Sequence, residues 1–259
     1  MTEHQSFYKA QVLDVSIGNI RVVQNLNLEI QRGECWCLLG KNGAGKTTLL
    51  KTLAGLLASE NGVLQLQEQP LASLSHKNIA QHIGFLFQEH HDAFPATVME
   101  TVLAGRHPHL HAWQWETAND LRLAEQALEF VNLEKFAERT LDTLSGGERR
   151  RVGIATLLSQ SPDLYLMDEP GNHLDLHQQT SLLQRLCAYI RDTNRALVMS
   201  IHDINLAARL ADNCILLMGD GQTIQGTAEA VMTTENLQQL YGHRLEKLQS
   251  KAGPVWIPA

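Results

Sequence analysis

The chain has 259 residues, of which 44% are hydrophobic, so it can bury a sizeable core and is not a disordered chain. Its formal net charge of −7 argues against a protein that coats nucleic acid, which needs a basic face, and we expect no nucleic-acid partner. No stretch approaches the ~20 apolar residues that cross a bilayer, and Met1–Ala10 lacks the apolar core of a signal peptide, so we expect any membrane association to go through another protein.

The first third of the chain predicts a strand, a glycine loop and a helix in succession. The apolar run Cys35–Leu39 has the length of a buried strand, and a helical pattern of apolar residues begins at Lys46. Gly55 supplies the left-handed residue with which helices commonly end, and a turn then leads to the strand-like run Val63–Leu66. We therefore expect β hairpins around a nucleotide-type loop.

The middle of the chain, from about Phe94 to Leu158, shows helical periodicity and no convincing strand. The periodicity is clearest in Leu121, Ala124, Leu128 and Val131. We expect a helical lobe at about 94–159, inserted into an α/β core at about 1–93 and 160–259, the whole forming a single domain over 1–259.

The last part of the chain alternates strand-like and helical runs, as a parallel sheet requires. The expected strands are Leu164–Met167, Ala196–Ile201 and Cys214–Met218, and the expected helices are about Asp175–Ile190 and Ile204–Leu210. Asp220-Gly221 is typical of a hairpin turn. The tail Gly253–Pro258 predicts an edge strand, where proline is tolerated.

The four cysteines lie inside apolar runs and not at spacings typical of zinc sites or disulfide frameworks; they are Cys35, Cys37, Cys187 and Cys214. We interpret them as buried, reduced thiols of a cytosolic protein. A metal pair formed by Cys35 and Cys37 on one strand face is the alternative, and core packing is favoured because free cysteine is readily buried.

The glycine-rich segment after the first apolar strand fits the phosphate-loop pattern, with the required strand before it and helix after it. Its backbone amides and the helix N-terminus would point at phosphate oxygens, Lys46 would neutralise the β and γ phosphates, and the Thr47 hydroxyl would ligate magnesium. An accidental glycine turn is the alternative, and the flanking elements disfavour it. The expected ATP contacts here are Gly40, Lys41, Asn42, Gly43, Ala44, Gly45, Lys46, Thr47 and Thr48.

The predicted strand Leu164–Met167 ends in two acids, Asp168 and Glu169, at the edge of an open α/β sheet where ligands bind. We expect Asp168 to bind magnesium through water and Glu169 to orient or deprotonate the water that attacks the γ phosphate. A pair of helix-capping acids is the alternative, which the preceding phosphate loop makes less attractive.

The segment Leu144-Ser145-Gly146-Gly147-Glu148, followed by Arg149–Arg151, completes a set of motifs that resembles the ABC ATPase family. Ser145 and the amides of Gly146 and Gly147 would stand at a helix start and face a γ phosphate. In the family that phosphate belongs to ATP bound by the other subunit, so the resemblance implies a head-to-tail dimer of two copies. We interpret most of the arginine run as a solvated helix face.

The resemblance spans nearly the whole chain and implies an α/β fold: a phosphate-loop (RecA-like) core with an N-terminal antiparallel β subdomain and an inserted helical subdomain. Gln88 matches the glutamine that links magnesium and attacking water to the membrane subunit. The run Asn172-His173-Leu174-Asp175 matches the loop that crosses the dimer interface, which adds Asp175 to the ATP contacts. His202 matches the histidine that contacts the γ phosphate. The expected catalytic residues are therefore Glu169, His202 and Gln88. The expected magnesium ligands are Thr47, Gln88 and Asp168.

Two positions depart from the family pattern. Ile17 occupies the place where the family usually has an aromatic residue that stacks on adenine, so we expect weaker stacking. Glu148 replaces the commoner glutamine at the end of the signature and adds a negative charge near a nucleotide.

The remaining motifs resemble the ATP-binding subunits of bacterial-type importers for metal chelates, which take up iron–siderophores, haem or cobalamin. The segments concerned are 94–98, 102–110, 170–177 and 255–258. This resemblance implies transmembrane permease subunits, indirectly a substrate-binding protein, and a location on the cytoplasmic face of the inner membrane. An exporter subunit, or an ABC ATPase of iron–sulfur cluster assembly with no membrane partner, is the alternative.

Histidines alternate at His107, His109 and His111, and acids and histidines alternate in 89–92. Metal binding is one interpretation. Docking of a cytoplasmic helix from the membrane subunit, with Phe94 in the same surface, is the interpretation that we favour.

Overall fold

The structure is a computed structural model that describes residues 6–88, 96–111, 113–250 and 253–259. Its strands are β1 (Tyr8–Ile17), β2 (Ile20–Ile30), β3 (Cys35–Gly40), β4 (Asn61–Leu66), β5 (Gln69–Pro70), β6 (Ile83–Leu86), β7 (Leu164–Met167), β8 (Ala196–Ser200), β9 (Asn213–Gly219), β10 (Gln222–Thr227), β11 (Leu245–Ser250) and β12 (Gly253–Pro258). Its α-helices are α1 (Lys46–Leu53), α2 (His76–His82), α3 (Val98–Ala104), α4 (Ala118–Phe130), α5 (Gly146–Gln160), α6 (Leu176–Asp192), α7 (Ile204–Leu210), α8 (Ala228–Val231) and α9 (Thr234–Tyr241).

Two larger sheets form the framework. One is antiparallel, with the order β2-β1-β4-β5, and contains the N-terminal strands. The other has the order β10-β9-β3-β8-β7-β6, and all its neighbouring pairs are parallel except β10 with β9. The parallel strands therefore end at one common edge, where the segments that follow β3, β6, β7 and β8 come together.

Strand β3 is buried on both faces because helices cover one side of its sheet and the antiparallel sheet covers the other. Cys35, Cys37 and Leu39 contribute to the core that contains residues of α3 to α6. Trp36 and Leu38, which point the opposite way, contribute to the core shared with β1, β2 and α1. A continuous apolar run without alternation is the sequence pattern of such a strand.

The segment predicted to be helical contains α3, α4 and α5. Within 96–111 and 113–160, β structure is limited to one isolated bridge between Thr97 and Thr140. Helix α4 buries Ala124, Ala127 and Leu128, whereas Leu121, which we placed on the same face, is 42% exposed. The boundaries of the lobe at about 94 and 159 stay a prediction.

The C-terminal tail forms a two-stranded hairpin of β11 and β12. Among the described residues β12 pairs only with β11, so it is an edge strand, as predicted. Trp256 of β12 is buried, and its backbone exchanges two hydrogen bonds with the side chain of Asn205 in α7. No helix in the described ranges is both long enough and apolar enough to cross a membrane.

Candidate functional site

The loop between β3 and α1 is tightly built around glycine. Gly45 has a φ of 93°, and a Cβ there would lie 2.5 Å from a methyl carbon of Val22 in β2, so no other residue fits. Lys46 begins α1 and donates from Nζ to the carbonyls of Gly40 (2.9 Å) and Lys41 (3.2 Å). The side chain of Lys46 therefore folds back over the loop. From there its charge and the loop amides would act together on a bound phosphate. Burial lowers the pKa of Lys46, while the negative charges of Glu169 and Asp168 act in the opposite direction.

Asp168 follows β7 and is 1% exposed, with both carboxylate oxygens bonded. Thr47 donates to Oδ2 at 2.5 Å, and Ser200 at the end of β8 donates to Oδ1 at 2.6 Å. The Ser200 hydroxyl also accepts from the backbone N–H of Glu169 at 2.8 Å. Sequence reasoning missed Ser200; the available signal was a polar residue near the end of an otherwise apolar strand.

The carboxylate of Glu169 is surrounded by donors. His202 Nε2 lies 2.5 Å from Oε1, Gln88 Nε2 donates to Oε2 at 3.1 Å, and the amide of Asn172 donates to the same oxygen. Burial alone would raise the pKa of Glu169, but the bonds from His202 and Asn172 and the charges of His202 and Lys46 hold it below its usual value. The structure thus brings together the three residues predicted to be catalytic, and adds Asn172, which sequence reasoning had placed only in an interface loop.

The phosphate loop and the three predicted catalytic residues line one cavity of about 490 Å³. Ile17 lies at its rim and is 54% exposed, in the place that the sequence predicted for contact with adenine. The lining residues are Ile17, Asn42, Gly43, Gly45, Lys46, Thr47, Thr48, Gln88, Glu169 and His202.

The signature residues lie at a different cavity, of about 530 Å³, which shares no lining residue with the first. It is lined by Ser145, Gly146, Gly147, Glu148, Arg151, His173, Asp175 and Gln178. Gly147 approaches the backbone of His173 so closely that a Cβ would lie 2.7 Å from the carbonyl oxygen of His173. The predicted ATP contacts are therefore divided between two separate surfaces of one chain.

Glu148 has a structural explanation that the sequence did not supply. Ser145 is the N-cap of α5: its hydroxyl accepts from the N–H of Glu148, and the Glu148 carboxylate accepts from the N–H of Ser145 at 2.8 Å. These bonds to Ser145 lower the pKa of Glu148. Asp175 caps α6 in a similar way and accepts from the N–H of Gln178. The extra negative charge at Glu148 thus stabilises the helix start.

The interpretation of most of the arginine run as a solvated helix face holds for Arg149, which is exposed, but it is wrong for Arg150, and Arg151 is partly buried. Each of the three side chains donates to backbone carbonyls. Arg149 donates to Leu141 and Asp142, Arg151 to Val131 and Asn132, and Arg150 to Phe87, Gln88 and Asp168. Arg150 is 3% exposed. Backbone carbonyls at the ends of turns and strands need donors, and a guanidinium can serve several at once.

Of the three alternating histidines, His107 and His111 are exposed, as expected, and His109 is not. His109 lies in a short 3₁₀ turn, His107–His109, and is half-buried, with Nε2 2.8 Å from the carbonyl oxygen of Gln160. Burial lowers the pKa of His109. In the described part of the chain no group of three or more His, Cys, Asp or Glu side chains is arranged to bind a metal ion. Residues 89–92 and Phe94 lie outside the described residues. The four cysteines are buried and unpaired by disulfides, as predicted.

A model of the ABC transporter family matches residues 23–172, more than half of the chain. The chain belongs to the ABC transporter family. The ATP-binding subunits of ABC transporters are ATPases, and the prediction of an ATPase is confirmed.

The chain is 37% identical to the iron(3+)-hydroxamate import ATP-binding protein of Bacillus subtilis (strain 168), over 88% of this chain and 85% of that protein. It is 38% identical to the hemin import ATP-binding protein of Burkholderia ambifaria, over 96% and 99% of the two chains. Among solved structures, a putative metal-chelate type ABC transporter in an inward-facing conformation superimposes with a TM-score of 0.85, over 98% of both chains at 28% identity. The predicted α/β fold is thereby confirmed.

Proposed function

We propose that this chain binds and hydrolyses ATP as the ATP-binding subunit of an importer for a metal chelate, an iron–siderophore or haem. The carboxylate of Glu169, which Gln88, Asn172 and His202 surround beside the phosphate loop, is the observation that supports hydrolysis most directly. The named functions of the relatives in Bacillus and Burkholderia support the class of cargo. Cobalamin, also predicted from the sequence, is named by neither of them.

Each residue of the first cavity has a proposed role that follows from its chemistry. The loop amides and Lys46 bind the phosphates, and Ile17 covers the base. Glu169 takes a proton from, or orients, the attacking water, and His202 and Gln88 fix the carboxylate in position for that step. Because the pKa of Glu169 lies below its usual value, this side chain is a carboxylate at neutral pH and can accept a hydrogen bond from the water.

Magnesium fits the residues present. Thr47 and Asp168 offer a hydroxyl and a carboxylate whose oxygens lie 2.5 Å apart, and Gln88 offers an amide oxygen at the same edge of the sheet, which are the hard oxygen ligands that Mg²⁺ prefers. When bound there, the ion would neutralise phosphate charge and polarise the phosphoryl group.

The division of the predicted ATP contacts between two cavities supports a dimer of two copies. The phosphate loop and the signature of one chain line different cavities, so one chain cannot surround a nucleotide with both. A second copy could complete the site if its signature faced the first copy's loop. Ser145, Gly146, Gly147 and Asp175 would then serve the partner's ATP.

We further propose that the dimer works on the cytoplasmic face of the cell membrane with permease subunits, which in turn receive cargo from a substrate-binding protein. Purification from native cells in mild detergent tests this: co-purification of a multi-span membrane protein is expected. Isolation without such a protein would favour an ATPase of iron–sulfur cluster assembly. Cells lacking this chain should lose uptake of iron supplied as a ferric siderophore or as haem, and normal uptake of both, or loss of export instead, would refute the importer assignment.

A further inference from the structure

Arg150 joins three backbone segments that meet at the active edge of the sheet. It lies in α5, and its guanidinium donates to the carbonyls of Phe87, Gln88 (3.3 Å) and Asp168. Phe87 and Gln88 follow β6, and Asp168 follows β7. One side chain thus bonds to the backbone of two of the three residues that we assign to magnesium.

The same helix begins at the signature. Arg150 comes five residues after Ser145, the N-cap of α5, which is about 7.5 Å along a helix axis. Because a helix is rigid over so short a length, a displacement of the signature would be transmitted to the guanidinium and to the carbonyls that it bonds. A hydrogen bond from the N–H of Asp168 to the carbonyl of Leu86 also joins the backbones at these two strand ends.

Arg150 is a buried cation held by backbone carbonyls. It forms no ion pair with a carboxylate of the described residues, and its Nε has no hydrogen-bond partner there. Burial lowers the pKa of Arg150 to about 10, although the negative charges of Asp168 and Glu169 act to raise it. The side chain therefore stays protonated at neutral pH. A guanidinium buried without a paired carboxylate is unfavourable for folding alone, which suggests a role in the site.

We propose that Arg150 is a positioning residue for ATP hydrolysis: it fixes the backbone that presents Gln88 and Asp168 to the metal and ties that backbone to the signature helix. The inference rests on the proposed function of the site. Replacing Arg150 should therefore weaken metal binding in the nucleotide complex more than it weakens nucleotide binding itself, because the hydrogen bonds of Arg150 to described residues go to the segments after β6 and β7 and not to the phosphate loop.

A purely structural role is the competing explanation, and Arg106 provides a matched control. Arg106 is also buried and also donates to backbone carbonyls, but these are the carbonyls of Ser159 and Gln160 at the opposite end of α5. Unlike Arg150, it forms an ion pair with Asp120. The double variant Arg106→Met/Asp120→Asn removes this cation without leaving a buried carboxylate unpaired. It should reduce stability and leave the metal site unchanged.

The experiment uses the full chain with a non-hydrolysable ATP analogue and Mn²⁺, whose binding is followed by electron paramagnetic resonance. For Arg150→Met we expect Mn²⁺ affinity to fall about tenfold or more, analogue affinity without metal to stay within about twofold, and kcat for ATP to fall by at least tenfold. Arg150→Gln, which retains an amide donor, should give an intermediate Mn²⁺ affinity. The control should lose thermal stability but keep its Mn²⁺ affinity within about twofold.

Unchanged Mn²⁺ affinity in Arg150→Met, or an equal loss in the control, would overturn the assignment in favour of a structural role. If Arg150→Met does not fold, Arg150→Gln decides the question by the same criterion. Failure of the unmodified chain to bind nucleotide or Mn²⁺ would instead refute the proposed function on which the inference rests, so the two failures are distinguishable.

Discussion

Replacing Ile17 by tyrosine should tighten ATP binding. Ile17 lies at the rim of the phosphate-loop cavity, at the end of β1, where its side chain is 54% exposed. Stacking of a base on an aromatic ring is worth about 1–3 kcal/mol in single-stranded nucleic-acid sites. We expect the lower part of that range, about 1–2 kcal/mol, because isoleucine already covers part of the base and the rim is exposed to solvent. This corresponds to an affinity gain of about 5- to 30-fold.

The measurement is a titration of the isolated subunit with ATP and with GTP, made without magnesium so that no turnover occurs. Val63→Tyr is the matched control, because Val63 is a similarly exposed aliphatic residue (44%) in β4 of the same sheet and does not line the cavity. It should leave both affinities unchanged.

Unchanged ATP affinity in Ile17→Tyr would mean that another residue already stacks on the base or that adenine binds elsewhere. An equal gain in Val63→Tyr would show a non-specific aromatic effect and would equally refute the reasoning.

Three further changes test other parts of the site and the fold. Glu169→Gln should reduce ATP turnover to background while leaving ATP binding intact, since it removes the carboxylate but not its shape; near-normal steady-state hydrolysis would remove Glu169 from the base role. Ser200→Ala should lower the free energy of unfolding by about 1–3 kcal/mol, because it leaves the N–H of Glu169 unpaired. Ser159→Ala removes a buried hydroxyl that has no partner among the described residues, so it should lower the free energy of unfolding less in the same urea titration. Bonds from Thr117 and Arg106 lower the pKa of Asp120 from 3.8 to about 2. The stabilisation that the carboxylate contributes is therefore complete above pH 3.8 and is lost as the pH falls through 2. Asp120→Asn should lower the melting temperature at pH 7 more than at pH 2, and a pH-independent difference would contradict this.

The sequence by itself determined the features that depend on short segments. The apolar run of β3, the glycine-rich loop, the helix start at Ser145 and the two acids after β7 each follow from residues close together in the chain, because strand length, loop curvature and helix initiation are local properties. Their order along the chain was enough to indicate the family and the Glu169, His202 and Gln88 set. The hairpin at Asp220-Gly221 was also local and correct.

Only the tertiary structure decided which side chains complete the site. Ser200 reaches Asp168 across 32 positions, and Arg150 reaches Phe87 across 63, so no local pattern could indicate either contact. Arg150 misled sequence reasoning because a charge within a basic run on a helix normally faces solvent, whereas here it donates to carbonyls at two strand ends. The pairing of β6 with β7 placed the carbonyls that Arg150 bonds, and that pairing is long-range, so the sequence of any single segment does not contain it.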